Sequence, residues 1–165
     1  MKVSVSIKSQ LGNAVRIGLE TADTSFLGES ISKHLYSRGI EIIEVVLDRQ
    51  AGKEMIGLNF LNEISSVVAK LFLENKHSIL FYYCDDMNEI PHCNHCNMLP
   101  QEYRSKLFSQ MFARYVTSHN IDKVHDTTIC VNAVDRPSFF HFISHKDNLD
   151  IINDIQEDFS KTYSK

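Results

Sequence analysis

The chain has 165 residues, 43% hydrophobic and 23% charged, with a formal net charge of −4. That is the size of one ordinary domain with enough apolar content for a core, which excludes disorder as a class. The acidic balance, with a pI near 6.0, argues against general nucleic-acid binding, which needs a basic face to displace counterions.

No stretch approaches the roughly 20 apolar residues of a membrane helix, so no membrane association is expected. The segment Met1 to Lys8 alternates polar and apolar residues and has no signal-peptide core. A cytoplasmic location is therefore expected, where the four cysteines are thiols or metal ligands rather than disulfides.

Val3, Val5 and Ile7 alternate with polar residues, which predicts a half-buried strand over 2–9. Leu11-Gly12-Asn13 supplies a turn, and Val15, Ile17 and Leu19 resume the alternation as the second arm of a hairpin. Asp23-Thr24-Ser25 can start a short helix carrying Ile31 and Leu35, with Gly28 and Gly39 limiting it to about two turns. Ile40 to Leu47 is rich in β-branched residues and reads as a third strand. The polar run Arg49 to Lys53 reads as a connection.

From Glu54 to Asn75 the apolar positions Ile56, Phe60, Ile64, Val68, Leu71 and Phe72 recur at steps of three and four. They form one wide helical stripe, the main core helix. Ile79 to Tyr83 is a near-continuous apolar strand, which suggests a central place in the sheet. A helix over 101–119 follows, then strands over 126–134 and 139–144 joined by Asp135-Arg136-Pro137-Ser138. Asp147 or Asn148 can cap a last helix with the stripe Ile151, Ile152, Ile155 and Phe159. The expected fold is a single α+β domain over 1–165, with one mostly antiparallel sheet packed by two or three helices. Ile64, Val68, Leu71, Phe108, Phe112 and Ile155 are expected to share one core.

Three segments resemble a small bacterial family of unassigned activity. They are Leu80-Phe81-Tyr82-Tyr83-Cys84-Asp85, Arg104-Ser105-Lys106-Leu107-Phe108, and Phe139 to Ile143 followed by Lys146-Asp147-Asn148. The resemblance spans residues 55–160. It implies early strands, a long helix, a strand ending in Cys-Asp and a helix opening with Arg-x-x-Leu-Phe, and it implies no chemistry. This chain departs from the pattern by a Cys/His-rich loop over 87–99 and by Leu149 where a proline is usual.

Candidate chemistry concentrates in that loop. Cys84, His92, Cys93, His95 and Cys96 are soft ligands close in sequence, and two cysteines separated by two residues can hold one zinc ion from a tight turn. The expected set is Cys84, Cys93, Cys96 and one of His92 or His95, with Cys130 as another fourth ligand if its strand lies alongside. The competing reading is a set of reduced thiols, with Cys84 packed as a small hydrophobe. Asp85 and Asp86 close the central strand, where they can bind Mg²⁺ or pair with Arg104 on the next helix. His141, His145, Lys146 and Asp147 form a third group that lacks a sequence-adjacent base. It reads as a helix cap by Asp147 beside a solvated His145. The functional expectation is a non-catalytic binding or interaction domain, with a protein partner or a second copy and a structural zinc. The alternative is a metal-dependent hydrolase of a phosphate ester that uses Asp85, Asp86 and the loop.

Overall fold

The computed structural model describes residues 2–10, 12–52, 57–84, 97–133 and 136–163. The strands are β1 (Lys2–Lys8), β2 (Ala14–Thr21), β3 (Glu41–Ala51), β4 (Ser78–Cys84), β5 (Val124–Ala133) and β6 (Arg136–His145). The helices are α1 (Glu29–Arg38), α2 (Leu58–Leu73), α3 (Pro100–Ser118) and α4 (Leu149–Tyr163), the last entered through a 3₁₀ turn at Lys146–Asn148. No helix among the described residues is long and apolar enough to cross a membrane.

The fold is α+β, built on one six-stranded sheet in the order β1-β2-β3-β4-β6-β5. The sheet is mixed rather than mostly antiparallel, because β3 and β4 pair in parallel from Glu41 opposite Ser78 to Glu44 opposite Phe81. Parallel neighbours need a crossover connection, and the long stripe of α2 supplies it. Strand β3 also outruns its apolar stretch. Asp48, Arg49 and Ala51 stay in the sheet because β2 offers them a ladder from Arg16 to Ala14. The expected connection at 49–53 therefore begins later.

Helix α1 runs ten residues, longer than two turns. Gly28 and Gly39 bracket it, as their spacing suggested, and Gly39 closes it in the left-handed conformation (φ 62°) that costs glycine little.

Four helices cover the sheet, two on each face, where two or three were expected. On one face α2 and α3 bring Phe60, Ile64, Val68 and Phe72, with Phe108 and Phe112, onto Ile43, Leu80 and Ile143. On the other face α1 and α4 bring Ile31, Leu35, Ile151, Ile152, Ile155 and Phe159 onto Ile42, Ile79, Phe81 and Phe142. Ile155 thus belongs to a different core from Ile64 and Phe108, which corrects the expectation of one shared core. The reason lies in β4: Ser78, Ile79, Leu80 and Phe81 are all buried, so the strand is apolar on both faces. Each face then needs its own cover.

Candidate functional site

Helix α3 turns an unexpected face inward. Its aromatic and aliphatic residues Tyr103, Leu107, Phe108, Met111 and Phe112 are half-buried, while Gln101, Arg104 and Ser105 are buried. Gln101, Ser105 and Ser109 recur every four residues, so they lie along one line of the helix. That line runs over β6 and β5, which carry matching polar groups. On β5, Asp126 and Thr128 share a face by strand alternation, and Thr128 pairs in register with His141 on β6.

These residues form one hydrogen-bonded chain. Ser105 Oγ lies 2.9 Å from His141 Nε2. His141 Nδ1 lies 3.3 Å from Asp126 Oδ1 and 3.2 Å from Thr128 Oγ1. Ser109 Oγ donates to Asp126 Oδ2 at 3.0 Å. With a carboxylate at Nδ1, the proton sits on that nitrogen, and Nε2 accepts from the Ser105 hydroxyl. The Phe108 ring lies 4.9 Å from the imidazole and stacks on Tyr82 at 4.6 Å, closing the site from the helix side.

Hydroxyl, imidazole and carboxylate in this order form the arrangement that activates a serine nucleophile. Its burial sets it apart from a working one. His141 is 0% exposed and Ser105 is 6% exposed, with the hydroxyl held between helix and sheet. Among the described residues, little of Ser105 is open to solvent. What the chain does here is tie the N-terminal half of α3 to the two strands beneath it.

The residues singled out from sequence disperse around this chain. Cys84 is buried at the end of β4, opposite Phe139 of β6. Cys130 is exposed on β5, opposite the same Phe139, so β6 separates the two cysteines and Cys130 is not alongside Cys84. Desolvation, with the Glu102 carboxylate adding to it, pushes the Cys130 thiol pKa up and keeps it protonated. Asp85, Asp86, His92, Cys93, His95 and Cys96 lie outside the described residues, so the zinc set and the Arg104 pairing to Asp85 or Asp86 do too. Among the described residues no group of three or more His, Cys, Asp or Glu could hold a metal ion. Gln101 is 1% exposed, and neither side-chain polar atom has a hydrogen-bond partner among the described residues.

The third group reads differently in three dimensions. His141 has its partners on other elements, and His145 is stacked on Phe72 (centroids 4.7 Å apart) instead of being solvated. Burial holds the His145 pKa below its ordinary value of 6.5, against an opposing pull from Asp147. Asp147 and Asn148, expected to cap the last helix, lie inside the 3₁₀ turn, whose N-cap is His145. The Asp147 carbonyl and Asn148 Oδ1 instead accept from Arg38 Nη2 of α1, at 2.8 Å and 3.2 Å.

Among the described residues, concavities open on both faces of the sheet. The cleft between α2 and α3 has a volume of about 70 Å³ and an apolar lining that includes Ile64, Val68, Phe108 and Phe112. The second, on the α1 and α4 face, has a volume of about 400 Å³. It is lined by Phe26, Phe81, Tyr83, Phe140, Phe159 and Tyr163, with Asp23, Ser25 and Glu44 as its polar members. The strand register builds one wall by setting Tyr83 opposite Phe140 and Glu44 opposite Phe81. The Ser25 backbone N–H donates to Asp23 Oδ1 at 2.9 Å; with the Ser25 hydroxyl it holds the Asp23 carboxyl below the usual range, against slight desolvation. The sequence shows the aromatics but not the cavity, because they come from a loop, two strands and a helix. No family model, curated protein or solved structure matches the chain.

Proposed function

We propose that the chain is a non-catalytic binding domain that takes a small organic molecule in the aromatic cavity between β4, β6 and α4. The observation that carries this reading is the cavity itself. At about 400 Å³ it falls in the range of about 300–1,000 Å³ usual for ligand sites, and aromatic rings share its lining with polar groups. Phe26, Tyr83 and Tyr163 are 38%, 39% and 44% exposed. Large rings left open to water around one concavity mark a surface that gains from being covered.

In this reading the Ser105–His141–Asp126 chain is a brace for α3 and not a catalyst. A structural zinc held by Cys84, Cys93, Cys96 and one of His92 or His95 is part of the proposal. It is supported by the position of Cys84, buried at the root of the loop on the face that α3 covers. A cytoplasmic setting, in which these thiols stay reduced, is part of it too.

The test is a thermal-shift screen of the chain and of a Tyr83→Leu variant against a small-molecule library. Stabilisation of the parent that disappears in the variant supports the reading, because a ligand that binds only the folded state raises its melting point. Hydrolysis of p-nitrophenyl phosphate that is lost on substituting Asp85 and Asp86 would favour the metal-dependent hydrolase. Ester hydrolysis lost in Ser105→Ala would show the buried chain to be catalytic.

A further inference from the structure

The rings of the aromatic cavity meet at angles from near-parallel to near-perpendicular. Phe81 and Phe140 are near-parallel (interplanar 15°, centroids 6.1 Å apart), and Tyr83 continues the stack on Phe140 (25°, 4.9 Å). Phe159 stands across them, edge-on to Phe140 at 66° and 5.1 Å. Phe26 stands at 82° to Phe159 and is tilted 31° from Phe81, and Tyr163 lies 5.6 Å from Phe159 at 45°. Two ring planes meeting near a right angle can surround a rounded group on more than one side, which a flat stack cannot do.

The polar lining has one sign. Asp23 and Glu44 bring carboxylates, and among the described residues no lysine, arginine or histidine lines the cavity. Glu20 sits opposite Glu44 in the β2–β3 register, and its carboxylate is held by Lys2 at 3.0 Å. The Lys2 ammonium is thus engaged by Glu20 and is not part of the lining.

From these observations we infer that the cavity binds a methylated ammonium group. The inference rests on the binding reading above and names its ligand class. A quaternary ammonium is a rounded, weakly hydrated cation. Ring faces attract it through their negative quadrupole when centroids lie within about 6 Å, and more strongly once water is displaced. Carboxylates at the rim add long-range attraction and disfavour anions. A neutral molecule of the same shape would gain the apolar contact but neither electrostatic contribution.

That difference defines the experiment. The full chain is titrated, with NMR detection of its aromatic resonances, against choline and against 3,3-dimethyl-1-butanol, its uncharged carbon isostere. A short peptide carrying trimethyl-lysine and benzoate complete the set. Choline or the trimethyl-lysine peptide should bind at least about tenfold more tightly than the isostere, and benzoate should not bind. Whichever cation binds more tightly identifies the source, a free metabolite or a modified side chain. Tyr83→Leu should weaken cation binding about three- to thirtyfold. Glu44→Gln should weaken it about threefold without affecting the isostere, and this variant carries the test if Tyr83→Leu does not fold. An isostere that binds as tightly as choline overturns the cation assignment while leaving a binding cavity. If no probe shifts the resonances of Tyr83, Phe140 or Tyr163 at millimolar concentration, the methylated-ammonium assignment fails, while the binding reading is decided separately by the library screen.

Discussion

Replacing Ser105 by alanine removes one hydroxyl and leaves His141 Nε2 with no hydrogen-bond donor. That nitrogen belongs to a side chain that is 0% exposed, so water does not replace the lost partner. A buried acceptor left unpaired costs about 1–3 kcal/mol, more than the net worth of the bond, because the desolvation of the ring nitrogen is no longer offset. In a chain of this size each kcal/mol moves the melting point by about 2–4 °C, so a fall of about 2–12 °C is expected. Ser66 is the control: it is exposed on α2 and its hydroxyl bonds only the Asn62 carbonyl at 2.8 Å. Ser66→Ala should stay within about 0.5 kcal/mol of the parent. Urea unfolding gives both free energies. Repeating Ser105→Ala in a His141→Phe background isolates the pair, and there the serine should cost much less. A loss below about 0.5 kcal/mol for Ser105→Ala, or an equal loss in both backgrounds, would refute the brace.

Other consequences follow from elsewhere in the fold. Arg38→Ala should cost about 1–2 kcal/mol by urea unfolding. It removes the 2.6 Å contact to Asp150 and takes away the donor to Oδ1 of the buried Asn148. Ile64→Val and Ile155→Val should each cost about 0.5–1.5 kcal/mol and add within about 0.5 kcal/mol, because the sheet separates them; strong coupling would contradict two cores. The His145 pKa is lowered by burial, so the unfolded chain binds this proton more readily. Stability contributed by neutral His145 is complete above pH 6.5, the ordinary histidine value, and falls as pH drops below it. His145→Gln should flatten that part of the urea-midpoint profile, and an unchanged slope would contradict it. Cys93→Ser with Cys96→Ser should release one equivalent of zinc by elemental analysis, whereas a parent purified without chelator that contains none would end the zinc proposal.

The strands that alternate cleanly were legible because one face meets the core and the other meets water, as Val15, Ile17 and Leu19 show. The apolar run of β4 likewise announced a central strand. What sequence could not supply was side. A stripe such as Ile151, Ile152, Ile155 and Phe159 says that a helix is covered, not which face of the sheet covers it, and Ile155 went to the face opposite α2. The end of β3 was hidden because its polar residues are held by a partner strand and not by their own propensity.

The candidate site was less legible. Ser105, Asp126 and His141 are joined across separations of 36 and 15 residues, and each looks ordinary in its own segment. A signal was present in the four-residue spacing of Gln101, Ser105 and Ser109, but the apolar residues beside them drew the helix face the other way. The aromatic cavity depends on register. Tyr83 and Phe140 could be assigned to strands, yet only their pairing, with Phe159 and Tyr163 brought over by α4, makes a wall.

The most direct test of the account is where ligands act on the folded chain. Chemical-shift mapping with assigned aromatic and methyl resonances, using the compounds that stabilise the protein most, gives that location. The account predicts perturbations centred on Phe26, Tyr83, Phe140 and Tyr163, with Phe108 and Ile64 on the opposite face unmoved. Perturbations centred on Phe108, Ser105 and His141 would contradict it and move the functional site to the buried chain beneath α3.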